Sequence, residues 1–212
     1  MHIAFIGVGQ VGSALASHLK DAGHDVIIAA RDARSESVTA LQARHPSIQA
    51  MAPAEAVAAA DVVFLAVPYP AHANALAACG EALDGKILVD CTNPVGAGLT
   101  HGLDSRTSGA ETVQAAALGA RVVKAFTVYG FENFIDPAYP AYGDLRPAMP
   151  IAGDDEDAKR TVSELCGEIG WQAVDTGPLA NSLHLEHMTL LWIKMARVQG
   201  RGADFVYGLL ER

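Results

Sequence analysis

A glycine-rich segment near the amino terminus constrains this chain more than any other feature of its sequence. Four apolar residues, Ile3 to Ile6, lead directly into a G-x-G-x-x-G pattern, and a helical pattern over 13–22 follows it. In such a strand–turn–helix unit the first glycine permits the tight turn and the second lets the backbone approach a pyrophosphate. The third glycine lets the helix pack on the sheet, and the helix N-terminus attracts phosphate. The segment predicts a dinucleotide site with the pyrophosphate loop Gly7, Val8, Gly9, Gln10, Val11 and Gly12.

Composition limits the class of protein. The chain has 212 residues, of which 50% are hydrophobic and 18% charged, enough for one α/β domain with an appendage or for two small domains. Its net charge of −9 argues against nucleic acid and anionic membrane surfaces as partners. Cys79, Cys91 and Cys166 lie far apart, which favours reduced thiols over a disulfide or zinc framework, and we expect no metal site. With the first strand starting near Met1 and no apolar run as long as a membrane span, we expect a soluble cytoplasmic protein.

Apolar runs alternate with helical patterns along the rest of the chain. The runs that predict further strands are 25–29, 48–51, 61–67, 86–90, 121–126, 149–152 and 171–174. This alternation predicts an α/β fold of the Rossmann type, with a doubly wound, mostly parallel sheet. Residues 135–150 are rich in Pro and Tyr and lack periodicity. We therefore expect a dinucleotide-binding domain over 1–146 and a small C-terminal α/β extension over 147–212 that closes the cleft. Its helices are predicted at 155–169 and 179–199, the second of them long.

The end of the second predicted strand bears on the choice between NAD and NADP. NAD-binding folds place an acid there for the ribose 2′-hydroxyl, whereas NADP-binding folds place an arginine nearby for the 2′-phosphate. The chain reads Ala29-Ala30-Arg31-Asp32-Ala33-Arg34-Ser35, so that Arg31 directly follows the strand tip at Ala30, with Arg34 and Ser35 within reach. A planar guanidinium suits a phosphate. Asp32 lies where a ribose-binding acid can also fall, so the pattern favours NADP and leaves NAD as the alternative.

Several later segments, in the same order, carry a resemblance to a known family. They are Leu65-Ala66-Val67-Pro68, Asp90-Cys91-Thr92-Asn93-Pro94, Val123-Lys124-Ala125-Phe126, Gly153-Asp154-Asp155 and Asp175-Thr176-Gly177-Pro178-Leu179. Together with the glycine-rich loop they resemble the NADP oxidoreductases that depend on the deazaflavin coenzyme F420, over nearly the whole chain. The resemblance implies NADP as cofactor, F420 or a similar flat redox compound as co-substrate, and a homodimer supported by the C-terminal helices.

The resemblance also implies roles for individual residues. It places Arg31 at the 2′-phosphate, and it lines the adenosine and nicotinamide-ribose side of the groove with Ala66, Val67 and Pro68. Near the nicotinamide it places Asn93, Pro94, Thr127 and Val128. This chain departs from the family pattern at two places. Family members often have Asn-Thr where this chain has Thr127-Val128, and a small polar residue is common at the position of Ala30.

Whether a side chain must donate a proton depends on which compound accepts the hydride. Hydride transfer between two ring cofactors needs orientation rather than a nucleophile, and no Gly-x-Ser-x-Gly, His-Glu-x-x-His or Tyr-x-x-x-Lys motif is present. An imine or keto substrate would need a proton donor, for which His184 and Glu186 on the last helix are the candidates. Tyr129, Phe131 and Phe134 are candidates for the wall of a flat-ring site, or for local packing. Three functions stay open: the F420-linked oxidoreductase, an NADPH-dependent reductase of a small imine or keto compound, and a non-enzymatic NADP-sensing protein.

Overall fold

One eight-stranded sheet forms the centre of the molecule in the computed structural model, which describes residues 1–212. Its strands are β1 His2–Ile6, β2 Asp25–Ala29, β3 Gln49–Met51, β4 Val62–Leu65, β5 Ile87–Asp90, β6 Arg121–Lys124, β7 Ala148–Gly153 and β8 Gln172–Asp175. The order across the sheet is β3-β2-β1-β4-β5-β6-β7-β8, and every neighbouring pair is parallel except β6 with β7. The predicted Rossmann-type, doubly wound and mostly parallel fold is confirmed.

Helices cover both faces of the sheet. They are α1 Gln10–Asp21, α2 Glu36–Arg44, α3 Pro53–Ala58, α4 His72–Ala77, α5 Gly109–Ala116, α6 Phe131–Ile135, α7 Glu156–Glu168 and α8 Ser182–Ile193. Side chains of α1, α2 and α7 belong to one apolar cluster and those of α3, α4 and α5 to another. All four residues of β4 are buried, as expected for a parallel strand covered on both faces. None of the helices has the length and apolar character needed to cross a membrane.

The residues after 147 continue the same sheet. Strand β7 runs antiparallel to β6, with Val123 opposite Gly153 and Lys124 opposite Ala152, and β8 then pairs in parallel with β7. The division into domains at residue 146 stays a prediction.

The predicted long C-terminal helix is confirmed, and its hydrogen-bonding pattern changes along its length. The structure has a 3-10 turn at Leu179–Asn181, then α8, and then a wider π-helical turn at Lys194–Val198. Pro178 precedes the 3-10 turn, and the N–H of Leu179 donates to Asp154 Oδ1 at 2.9 Å, which ties this turn to the end of β7. Helix α6 was not predicted, because five residues are too few to show helical periodicity.

A capping box stands at the start of α5. The Ser108 hydroxyl accepts from the N–H of Glu111 at 3.1 Å, and the Glu111 carboxylate accepts from the N–H of Ser108 at 2.8 Å. The backbone hydrogen bond from Ser108 lowers the pKa of Glu111 below its usual range. The box fixes the first turn of α5, whose next two N–H groups, those of Gly109 and Ala110, point at a buried carboxylate described below.

Candidate functional site

Two glycines of the loop between β1 and α1 are required by the fold itself. Gly7 has φ +94°, in the left-handed region that favours glycine, and a Cβ there would lie 2.7 Å from the carbonyl oxygen of Ala66. A Cβ on Gly12 would collide with the carbonyl oxygen of Gly7. These contacts hold the loop tightly between α1 and the end of β4, as the sequence pattern predicts.

Gly9 is different, because neither backbone nor packing requires a glycine there. Its φ is −66°, and a Cβ would meet nothing within 4 Å. Gly9 caps α1, whose first turn has no side-chain cap and no acidic residue. The free N–H groups and positive dipole end of α1 therefore face open space at Gly9, an arrangement suited to an anion that approaches the backbone closely. The loop thus fits a pyrophosphate.

A cavity of about 310 Å³ opens beside this loop at the carboxyl ends of β1 and β2. Six predicted site residues line it: Gly7, Val8, Ala30, Arg31, Ser35 and Val67. Its other wall was missed and includes Pro53, Ala71, Asn74, Ala75 and Ala78. No sequence signal marks this second group, because only the packing of α3 and α4 against the sheet brings it to the cavity.

The corner of the cavity at the tip of β2 carries a cation and hydroxyl groups. Arg31 lines the cavity and has no carboxylate within 4 Å, whereas Arg34 is exposed and does not line it. Asp32 also lines the cavity, but its Oδ1 accepts from the N–H of Arg34 at 2.9 Å and so closes the local turn. With the hydroxyls of Ser35 and Ser37 on the same wall, this corner suits a phosphate group.

At the other end of the predicted groove, the structure brings three polar side chains together. Asn93 follows β5, Thr127 follows β6, and Thr189 lies on α8. The Asn93 amide donates to the carbonyl oxygen of Thr127 at 3.0 Å, and its Oδ1 accepts from the hydroxyls of Thr127 at 2.5 Å and Thr189 at 3.1 Å. Phe126, directly before Thr127, has φ +53°, which is strained for a bulky side chain and typical of functional sites. The amide of Asn93 is therefore held in one orientation.

The remaining predicted residues lie along the same edge of the sheet. Gln10 and Val11 begin α1, Ala66 and Val67 pack against Gly7, and Pro68 is exposed after β4. Pro94 directly follows Asn93 in the chain and Val128 directly follows Thr127, and both are buried. Their binding roles stay predictions.

Glu186 lies in a buried charge cluster, which we define as Asp90, Lys124, Glu186 and His101. Lys124 Nζ lies 2.9 Å from Asp90 Oδ2 and 3.0 Å from Glu186 Oε1. His101 Nε2 lies 2.8 Å from Glu186 Oε2, and all four side chains are at most 2% exposed. Burial opposes the charge on Lys124, but the two carboxylates outweigh it and raise the pKa of Lys124. Sequence reasoning missed this cluster, although two of its members, Asp90 and Lys124, end neighbouring strands.

The two predicted proton donors, Glu186 and His184, lie in different surroundings. Glu186 also accepts from the N–H groups of Gly109 at 3.0 Å and Ala110 at 3.3 Å, so four donors surround an enclosed carboxylate. Both oxygens of this carboxylate are already engaged and the side chain is enclosed, so the geometry does not support Glu186 as a general acid. His184 is exposed on α8.

The aromatic candidates belong mainly to the core. Tyr129 and Phe134 are 5% and 1% exposed, and their rings pack against Trp171 at 5.2 Å and 5.6 Å. They are local packing rather than the wall of a ring site, and only Phe131 is half-buried. No group of three or more His, Cys, Asp or Glu side chains is arranged to hold a metal ion.

Comparison with known proteins agrees with this geometry. The family model described as NADP oxidoreductase, coenzyme F420-dependent, matches residues 2–94. The F420-dependent NADP reductase of Methanothermobacter marburgensis is 33% identical over 210 residues, covering 92% of each protein. The chain belongs to the F420-dependent NADP oxidoreductase family. The predicted resemblance and the prediction of an NAD(P)-dependent oxidoreductase are confirmed.

Three further proteins show the range of the similarity. The crystal structure of a protein assigned as an F420-dependent NADP reductase, from Arthrobacter sp. FB24, has a TM-score of 0.88 at 30% identity, with both chains covered completely. The metalloreductase STEAP3 of Rattus norvegicus is 31% identical over 189 residues, which are 89% of this chain but only 36% of STEAP3. An imine reductase of Streptomyces aurantiacus shares the fold alone, with a TM-score of 0.68 at 19% identity.

Proposed function

We propose that this protein transfers a hydride between NADP(H) and the deazaflavin ring of coenzyme F420. The observation that carries the proposal is the cavity at the tips of β1 and β2, where Arg31 stands at the strand tip and Asp32 is engaged in the turn. Membership of the F420-dependent family and the likeness to the Methanothermobacter reductase support the choice of NADP and F420.

In this proposal the side chains bind and orient, and none exchanges a proton with substrate. NADPH supplies the hydride when bound. Gly9 and the first turn of α1 hold the pyrophosphate, Arg31 pairs with the 2′-phosphate, and Asn93 orients the nicotinamide end of the groove. Two rings held face to face in a dry cleft need correct distance and orientation above all, because a hydride passes directly between two carbons.

No observation favours the two alternative functions. A reductase of imines or keto compounds needs a proton donor at the groove, and Glu186 is enclosed by Lys124 and His101. A non-enzymatic NADP sensor would bind the cofactor without turnover. The homodimer stays a prediction, supported by Leu191 on α8 and Val198 in the following turn, which are 53% and 67% exposed. The cytoplasmic location stays a prediction as well.

Replacing Arg31 with alanine tests the cofactor. We expect the Kd for NADPH to rise by about 10- to 100-fold, the loss expected for a charge-assisted hydrogen bond, while the Kd for NADH changes by less than about twofold. Calorimetric titration of both cofactors measures this. Arg34→Ala is the matched control, because Arg34 lies only three residues further along the chain but is not part of the cavity lining. Equal losses for NADPH and NADH, or none for NADPH, would place the 2′-phosphate elsewhere.

A further inference from the structure

The buried charge cluster is bonded directly to the loop proposed to carry the nicotinamide. Thr92 is the residue before Asn93. Its N–H donates to Asp90 Oδ1 at 2.9 Å, and its carbonyl oxygen accepts from Lys124 Nζ at 2.5 Å. The hydroxyl of Thr127 also points at this carbonyl oxygen, at 3.4 Å. Thr92 therefore links the cluster to the Asn93–Thr127 pair, and any charge in the cluster acts at short range on that end of the groove.

The hydrogen bonds fix the protonation state of His101. Its Nδ1 accepts from the N–H groups of Leu103 and Ser105, both at 3.3 Å. A nitrogen that accepts carries no proton, so the single ring proton is on Nε2, which donates to Glu186. His101 is therefore neutral. His187 stacks on it at 5.3 Å, but is exposed and hydrogen-bonded to Ser105.

The cluster consequently holds an unbalanced charge. Asp90 and Glu186 contribute two negative charges and Lys124 one positive charge, which leaves one negative charge in side chains that are at most 2% exposed. Solvent screens such a charge weakly, so its field extends into the adjacent groove.

We propose that this residual negative charge stabilises the oxidised nicotinamide ring over the reduced one, with Glu186 acting as a positioning residue through Lys124 and Thr92. The inference rests on the proposed function, since it needs the nicotinamide beside Asn93. Loss of a hydride, one proton with two electrons, turns the neutral dihydronicotinamide into a ring with one positive charge. A fixed negative charge nearby favours that product and the transition state leading to it, and so promotes hydride donation by NADPH.

The test compares the affinities for NADP⁺ and NADPH. One unit charge at roughly 8 Å and an effective dielectric constant of about 30 changes such a ratio about tenfold. For Glu186→Gln, which removes the charge and keeps the shape, we expect Kd(NADP⁺)/Kd(NADPH) to rise by about that factor. Glu168→Gln is the matched control. Glu168 also bonds a buried histidine, His24, at 2.5 Å, but His24 precedes β2 and lies at the opposite edge of the sheet, so the ratio should not change.

The outcomes separate this inference from the proposed function. If neither form of the cofactor binds the wild type, the proposed function fails first. If both bind, and a folded Glu186→Gln keeps the wild-type ratio within about twofold or shifts it no more than Glu168→Gln, the inference is overturned. Should Glu186→Gln not fold, ¹⁵N NMR of the cofactor-loaded wild type decides the premise. A neutral Nε2–H tautomer of His101 supports the residual charge, and an imidazolium cancels it and overturns the inference.

Discussion

Replacing Gly9 with glutamate should raise the Kd for NADPH at least about 100-fold and leave the fold intact. The fold should survive because Gly9 has an ordinary φ of −66° and a Cβ there meets nothing within 4 Å. Binding should fail because the new carboxylate stands at the N-terminus of α1, where it takes the place of the pyrophosphate and repels it. Losing these contacts costs about 3 kcal/mol, which corresponds to about two orders of magnitude in Kd.

Titration calorimetry and thermal unfolding on the same samples check this result. Gly167→Glu is the matched control, because Gly167 in α7 is also a glycine whose Cβ would meet nothing within 4 Å. It adds the same charge and should bind NADPH like the wild type. A Gly9→Glu variant that keeps its NADPH affinity would show that the pyrophosphate lies away from this loop.

Replacing Lys124 with methionine should lower the free energy of unfolding by about 3–5 kcal/mol. The substitution leaves the carboxylates of Asp90 and Glu186 buried without their shared cation, which is the costly way to break a buried ion pair. Denaturant unfolding measures the change. Lys159→Met is the control, because the carboxylates that bind Lys159, those of Glu156 and Asp175, are 76% and 46% exposed. There we expect a loss of only about 1 kcal/mol.

The loss of unfolding free energy in Lys124→Met should change with pH in a definite direction. In the wild type the pKa of Lys124 is raised, so its contribution is complete from about pH 5 to pH 9 and is lost only as the pH rises through that raised value. In the variant, folding favours uptake of a proton by one of the two facing carboxylates. The deficit relative to wild type should therefore shrink as the pH falls from about 8 to about 5. A small deficit that does not depend on pH would mean that the cluster carries little charge.

The sequence predicts local features of the site well, because each depends on a few adjacent residues. The positive φ of Gly7, the close packing of Gly12 and the open space at Gly9 all follow from one short motif between a strand and a helix. The position of Arg31 could be predicted because strand β2 ends where its apolar run ends. The long last helix could be predicted as well, but not its 3-10 start, which follows Pro178 and is tied to Asp154 by the hydrogen bond from Leu179.

Features that depend on distant segments could not be predicted. Asn74 reaches the cavity because α4 packs beside the tip of β2, and nothing in its own segment indicates a ligand. Glu186 looks like any acid on a helix until the fold places it against Lys124 and His101, which are 62 and 85 residues away in the chain. A carboxylate that suggests a proton donor in the sequence is thus a fixed charge in the structure.

Anaerobic mixing of the protein with NADPH and oxidised F420, followed by measurement of the deazaflavin absorbance, is the direct assay of the proposed hydride transfer. We expect enzyme-dependent reduction of F420 by NADPH, a much slower reaction with NADH, and none with Gly9→Glu. Absence of hydride transfer in either direction, in a sample that calorimetry shows to be loaded with NADPH, would contradict the proposed function.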